Sequence, residues 1–248
     1  MTHVDDVERG ERWRLLGSMS RRAQYASIGG YHGSIGLGAM DIPLPLSKLA
    51  LHLVNRDDKD KKYVVLVATG SFNPPTYMHL RMFELARDAL NSEGFCVIGG
   101  YMSPVNDAYN KKGLISAEHR IQLCDLACQS SEFITVDPWE ARQSSFQRTL
   151  TVLLRVKDFL PEAGLIPSES LKCMLVCGSD LLHSFGIPGV WIAEQGNIRI
   201  ADELVPNQIS STRIRDCISR GLSIKYLTAD EVIDYIRDHH LYLNSNDM

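Results

Sequence analysis

Much of what would place this sequence quickly is missing from it. None of its six cysteines (Cys96, Cys124, Cys128, Cys173, Cys177 and Cys217) stands in CxxC spacing, so neither a zinc ribbon nor a dithiol redox motif is indicated. Cys173, Leu175 and Cys177 alternate inside an apolar run, as small buried hydrophobes do, and a disulfide framework is unexpected at 248 residues. No apolar run approaches the roughly 20 residues that a membrane-spanning helix needs. No charge of one sign dominates: 26 Lys and Arg stand against 30 Asp and Glu, a net charge of −4. That balance favours neither nucleic acid nor an anionic membrane as partner. There is no internal repeat, no Ser/His/Asp triad and no cluster with metal-ligand spacing. No loop ends in GKS or GKT, and no GxGxxG follows a strand and opens a helix.

What is present begins at Tyr63. "YVVLVA" is a short β-branched run of the kind buried on both faces of a sheet. Met78, Met82, Leu85, Ala86 and Ala89 then recur at helical spacing, with Gly94 beyond the end. "FCVIGGYM", "FITVD" and "LKCMLVCG" read as further strands, with helices at "SAEHRIQLCDLACQ" and "RTLTVLLRVKDFL" between them. Ser144 and Gln147 have capping-box spacing ahead of the second helix, and Thr228 and Glu231 have it ahead of "EVIDYIRDHHLYL". "NIRIA" is one more strand-like piece, and Ser210 or Ser211 can cap a helix that runs through Ile218 to Gly221. The alternation predicts an α/β fold, a Rossmann-like doubly wound parallel sheet in three layers, α/β/α. Residues 1–61 show no apolar periodicity and are expected to be a mostly disordered extension ahead of a domain at 62–245.

Four tight features fall where strands give way to helices, the ligand end of such a sheet. In "GSFNPPT", Gly70 admits a ligand close to the backbone and Pro74 and Pro75 stiffen the turn. The helix behind offers free N–H groups and a positive dipole end, with His79 one turn inside. "SPVNDAYNKKG" brings Lys111 and Lys112, although a solvated basic loop would look the same. Gly178-Ser179-Asp180 is either a ribose-binding turn or a plain helix cap. "ISSTRIR" joins hydroxyls to Arg213 and Arg215 at a helix start, a better phosphate cradle than a cap alone requires. Trp139 and Trp191 stand at loop positions, as core residues or as stacking surfaces.

The absence of a Ser/His/Asp triad or metal-ligand cluster is informative beside this set. A phosphate monoester is already anionic at neutral pH, so its attack on a nucleoside triphosphate needs only in-line positioning and neutralisation of charge.

"GSFNPPTYMH" resembles the G-x-F-x-P-x-[HT]-x-x-H signature of the nucleotidylyltransferase superfamily, and "ISSTRIR" resembles its ISSTxxR signature. With Thr76 in place of the first histidine, and with "SPVNDAYNKKGL", "VDPWE", "CGSDLL" and "PGVW", the chain is similar to the eukaryotic, plant-like nicotinamide/nicotinate mononucleotide adenylyltransferase family. The resemblance implies ATP and a pyridine mononucleotide as substrates, Mg²⁺ with the ATP, and no protein metal site. It implies that Gly70, Ser71 and Phe72 meet the mononucleotide through their backbone. Tyr109 and Lys111 help hold the mononucleotide, Lys111 meeting its phosphate, and Trp139 and Trp191 flank its ring, with Val190 beside the second. His79 binds ATP phosphate and steadies the transition state, Gly178 and Asp180 contact the adenosine, and Asn207 lies near it. Ser211, Thr212, Arg213, Ile214 and Arg215 bind the triphosphate, Arg215 neutralising its charge. A nuclear or cytoplasmic location follows from the same resemblance, and a homo-oligomer is left open.

One departure stands out. The family has a further strand and helical structure between the segments matching Trp191 and Gly196, and here almost nothing separates them. About 30 residues or somewhat more, the size of a βαβ unit, are missing. The expectation is a destabilised chain of impaired activity. Two alternatives accompany the adenylyltransferase reading: a non-catalytic variant that binds nucleotide, and a superfamily member acting on another phosphate acceptor such as phosphopantetheine.

Overall fold

The computed structural model describes residues 12–16, 42–178, 198–202 and 208–243. Their strands are β1 (Arg12–Leu16), β2 (Tyr63–Gly70), β3 (Cys96–Pro104), β4 (Ile134–Val136), β5 (Leu171–Cys177) and β6 (Ile198–Asp202). The helices are α1 (Tyr77–Ser92), α2 (Ala117–Cys128), α3 (Thr149–Glu162), α4 (Ser211–Ser219) and α5 (Asp230–Asp238). All six strands form one sheet in the order β4-β3-β2-β5-β1-β6. From β4 to β5 every neighbouring pair is parallel.

The β-branched run of β2 explains the layering. Val64, Leu66 and Ala68 point to one face, where they meet Met82, Phe83, Ala86 and Leu90 of α1 and Ile121, Cys124 and Cys128 of α2. Tyr63, Val65 and Val67 point to the other, against Val152, Val156 and Leu160 of α3. Each such aliphatic side chain contributes about 2 kcal/mol by leaving water. Gly99 and Gly100 in β3 let both layers close in. A Cβ on Gly99 would lie 2.2 Å from Leu49 Cδ2, and one on Gly100 2.7 Å from Phe83 Cδ1. The outer side of α2 carries a third cluster, in which Leu123 and Ala127 pack with Ile214 of α4, Val232 and Ile236 of α5, and Tyr242.

Two parts of the expected disordered extension are ordered. Residues 42–54 lie over β3 and α3, with Leu44 and Leu49 buried. Ala50 N–H donates to Ile98 O at 2.8 Å, Tyr101 Oη to Pro45 O at 2.6 Å, and Arg155 Nη2 to Ile42 O at 2.6 Å. Lys48 Nζ donates to the carbonyls of Cys128 and Ser131 at the end of α2. The segment has no helix or strand period because Pro43 and Pro45 hold it irregular, and side chains from β3 and α3 satisfy the carbonyls of Pro45 and Ile42. The second ordered part is β1, a strand antiparallel to both β5 and β6. Residues 1–11 and 17–41 lie outside the described residues.

Two capping boxes also differ from expectation. Helix α3 starts at Thr149 without a side-chain cap, since Gln147 turns back to Ser145 O. Thr228 does not cap α5, because its hydroxyl donates to Pro75 O at 2.9 Å, 153 residues away in sequence.

Candidate active site

The turn after β2 is held from two directions. Thr76 caps α1 and completes a capping box with His79: Thr76 N–H donates to His79 Nδ1 at 3.0 Å, and His79 N–H donates to Thr76 Oγ1 at 3.4 Å. Because Nδ1 accepts from a backbone N–H, the proton of the neutral ring sits on Nε2. Burial first, and the charge of Lys111 second, lower the His79 pKa to about 4. At neutral pH the residue is therefore an uncharged N–H donor.

Phe72 has φ 42, the left-handed region that a bulky residue rarely adopts. The geometry turns its ring inward, into the core and edge-on to His79 at 5.2 Å. Only its backbone, with that of Gly70 and Ser71, is left for a ligand. Such strain belongs to sites where the surroundings over-determine the conformation.

From the other side, three successive carbonyls of the turn accept hydrogen bonds from the C-terminal part of the chain. Arg215 Nη1 donates to Asn73 O at 2.7 Å, Ser211 Oγ to Pro74 O at 2.7 Å, and Thr228 Oγ1 to Pro75 O. The Asn73 side chain ties in two further segments, donating from Nδ2 to Gly113 O at 2.7 Å and accepting at Oδ1 from Tyr242 Oη at 2.9 Å. The sequence reading missed Asn73, Thr228 and Tyr242. Asn73 lies within a recognised motif, but nothing local marks Tyr242.

Cations converge on this turn. Lys111 Nζ donates to Ser71 Oγ at 3.1 Å, and its pKa is lowered by burial and then by the charge of Arg215. Burial chiefly lowers that of Arg215 as well. Arg215 is buried, Nη2 reaches Thr212 Oγ1 at 3.4 Å, and Nε has no hydrogen-bond partner. Among the described residues no carboxylate pairs with Lys111 or Arg215. A third cation, Arg120, is fully buried and already engaged by Asp107 at 2.7 Å and Ile115 O at 2.9 Å. At Lys111 and Arg215 the site therefore carries positive charge that no carboxylate among the described residues neutralises.

The remaining expected residues divide. Ser210, not Ser211, caps α4, accepting from Arg213 N–H at 3.3 Å. Arg213 is exposed and donates to Gln208 Oε1, while the Ile214 side chain is in the core and offers only its backbone. Thr212 is exposed at the helix start. Tyr109 is half-exposed and stacks on Phe146 with ring centroids 5.9 Å apart. Trp139 packs against the α3 face with Arg155 over its ring at 5.1 Å. Beside it, burial pushes Glu140 up to about 8, with Ser103 Oγ donating to it at 2.9 Å. Gly178 follows the end of β5. Asp180, Val190, Trp191 and Asn207 lie outside the described residues, as does the expected junction at 191–196. Among the described residues no three His, Cys, Asp or Glu side chains form a metal cluster.

Residues 67–217 match the cytidylyltransferase-like family, and the chain belongs to it. It is 59% identical over 237 aligned positions to the nicotinamide/nicotinic acid mononucleotide adenylyltransferase of Arabidopsis thaliana, covering 82% of this chain and 98% of the relative. The corresponding enzyme of Oryza sativa subsp. japonica is 53% identical, with 82% and 95% covered. Within the family the chain stands with the nicotinamide/nicotinic acid mononucleotide adenylyltransferases. Among solved structures, a Plasmodium falciparum nicotinic acid mononucleotide adenylyltransferase complexed with NaAD superimposes with a TM-score of 0.43 at 15% identity, covering 73% of this chain and 97% of that one.

The alignments carry one further fact. As 82% of 248 residues is about 203, an alignment of 237 positions leaves about 34 positions of each plant relative without a counterpart here. The size agrees with the shortfall expected from the sequence.

Proposed function

We propose that this chain joins the adenylyl group of ATP to nicotinamide or nicotinate mononucleotide, giving NAD⁺ or its deamido form and pyrophosphate. The observation that carries this reading is the meeting of His79, Lys111 and Arg215 at one turn with no carboxylate among them and with Arg215 Nε unpartnered. A buried guanidinium without a counter-charge, as at Arg215, is held at a cost that an anionic ligand removes.

A phosphate oxygen of the mononucleotide attacks the α-phosphorus of ATP. The bond to the bridging oxygen breaks, and its electron pair leaves with pyrophosphate. The attacking group is anionic at neutral pH, since a phosphate monoester has its second pKa near about 6, so no residue has to remove a proton. His79 Nε2 donates to the triphosphate without adding charge. Arg215 and the start of α4 neutralise the departing pyrophosphate, and Lys111 and the backbone of Gly70 to Phe72 orient the mononucleotide. Tyr109 and Trp139 border the acceptor side, while Gly178 begins the adenosine side. The described donor set is cationic and would not cage a divalent ion, so Mg²⁺ enters bound to the ATP phosphates as part of the substrate.

The test is a coupled assay for NAD⁺ and pyrophosphate from ATP, Mg²⁺ and nicotinamide mononucleotide, with the acid mononucleotide in parallel and ATP binding measured separately. Turnover that vanishes in Arg215→Ala supports the reading. The shortfall of about 34 positions favours a second reading, nucleotide binding without turnover. A folded chain that binds ATP and makes no pyrophosphate would select it.

A further inference from the structure

We infer that β1 is a replacement strand: Arg12–Leu16 fills, in reverse direction, a sheet position for which the shortened link between β5 and β6 has no residues. Strands β5 and β6 do not pair with each other. Each pairs with β1, and each is antiparallel to it. They are therefore parallel to one another and two strand spacings, about 9.6 Å, apart. Arg14 sits opposite Cys177 on one side and Ile200 on the other, and Leu16 opposite Leu175 and Ile198. The gap is one strand wide.

The chain between β5 and β6 cannot fill it unaided. Twenty residues, 178–197, connect the two strands. A parallel connection takes about a dozen residues or more. Supplying a parallel strand for the gap as well would take two such connections plus the strand, on the order of 30 residues. The count falls short by about ten residues. The plant relatives carry about 34 aligned positions that this chain lacks. In the parallel part of the sheet each strand after β2 is reached through a helix, and all four run in one direction. Strand β1 alone comes from the far end of the chain, and it alone runs backwards.

An empty gap would be untenable for β5. Its residues Met174 to Cys177 are buried, so N–H and C=O groups on the side away from β2 could not turn to water. An antiparallel ladder satisfies them as well as a parallel one does. The requirement on the replacement is thus length and extended backbone, which the five residues Arg12–Leu16 meet. The occupant is this chain's own N-terminal segment, acting within the same molecule.

Hydrogen exchange on the full chain, read by mass spectrometry, tests this without reference to activity. The expected result is protection of peptides covering 14–16 and 198–202 by at least about 100-fold over free peptide, with β2 as internal reference. In Leu15→Pro, which removes a ladder donor from a central strand, both peptides lose protection while β2 keeps its own. Free exchange at 14–16 in the unaltered chain overturns the inference, as does undiminished protection of 198–202 in the variant. Sedimentation across a range of concentrations addresses supply by a second copy: a dimer that Leu15→Pro dissociates would overturn the assignment to one molecule.

Discussion

The turn at Asn73–Pro75 and the strand trio β5–β1–β6 are held by opposite means. At the turn, each carbonyl has its own side-chain donor, from Arg215, Ser211 and Thr228, and the Asn73 amide binds Gly113 O and the Tyr242 hydroxyl. None of these donors can be exchanged for an arbitrary residue. In the trio the ties are backbone ladders, which any extended segment of suitable length can make. A segment lost from the trio can be replaced from elsewhere in the chain; a residue lost from the turn cannot. Hence a chain that lacks about 34 of the positions aligned in its plant relatives still presents the whole anion-binding turn.

The comparison can be broken most decisively at Arg215. Arg215→Ala removes both the free Nε donor and the bond to Asn73 O, and should lower kcat by about 100- to 1000-fold. Arg215→Lys, which keeps the charge and loses the fork, should recover only part of it. Steady-state kinetics with ATP varied would show whether the loss lies in kcat. Next is Asn73→Ala, which leaves Gly113 O and the Tyr242 hydroxyl without their partner. A loss of about 3 kcal/mol is expected, read as a lower midpoint in urea. An unchanged midpoint would mean that the turn is not the rigid member of the pair.

Acid should act on the turn before the trio. The His79 pKa is lowered from 6.5 to about 4, so between those values the unfolded chain binds the proton that the folded chain refuses. Stability falls as the pH drops from 6.5 towards 4, and is not lost above 6.5. His79→Gln should flatten that limb of a plot of melting temperature against pH. The smallest expected effect is at Tyr242. Removing its hydroxyl in Tyr242→Phe should cost about 1 kcal/mol, or about 2–4 °C in melting temperature for a domain of this size.

The four parallel strands and the helices between them were legible because β2, β3 and β5 are apolar runs and α1 carries a helical period. The phosphate turn was legible because glycine, paired prolines and a helix cap fall within ten residues. Residues 42–54 were not, since a proline-bound segment packs through scattered leucines without a period. Thr228 was misread as a cap because a hydroxyl's partner can lie across the molecule, here at Pro75. Tyr242 is 169 residues from Asn73 in sequence, and β1 pairs with strands more than 150 residues later. Such distances leave no local trace.

The three carbonyls at Asn73, Pro74 and Pro75 also set a timetable for the protein's making. A ribosome adding about 5–20 residues per second completes the turn and its helix well before Ser211, Arg215 and Thr228 emerge. Through that interval the core strands can pair, but the turn lacks every donor that holds it from the C-terminal side. The nascent chain therefore cannot present a finished nucleotide site. Competence arrives only once Ser211, Arg215 and Thr228 have been translated.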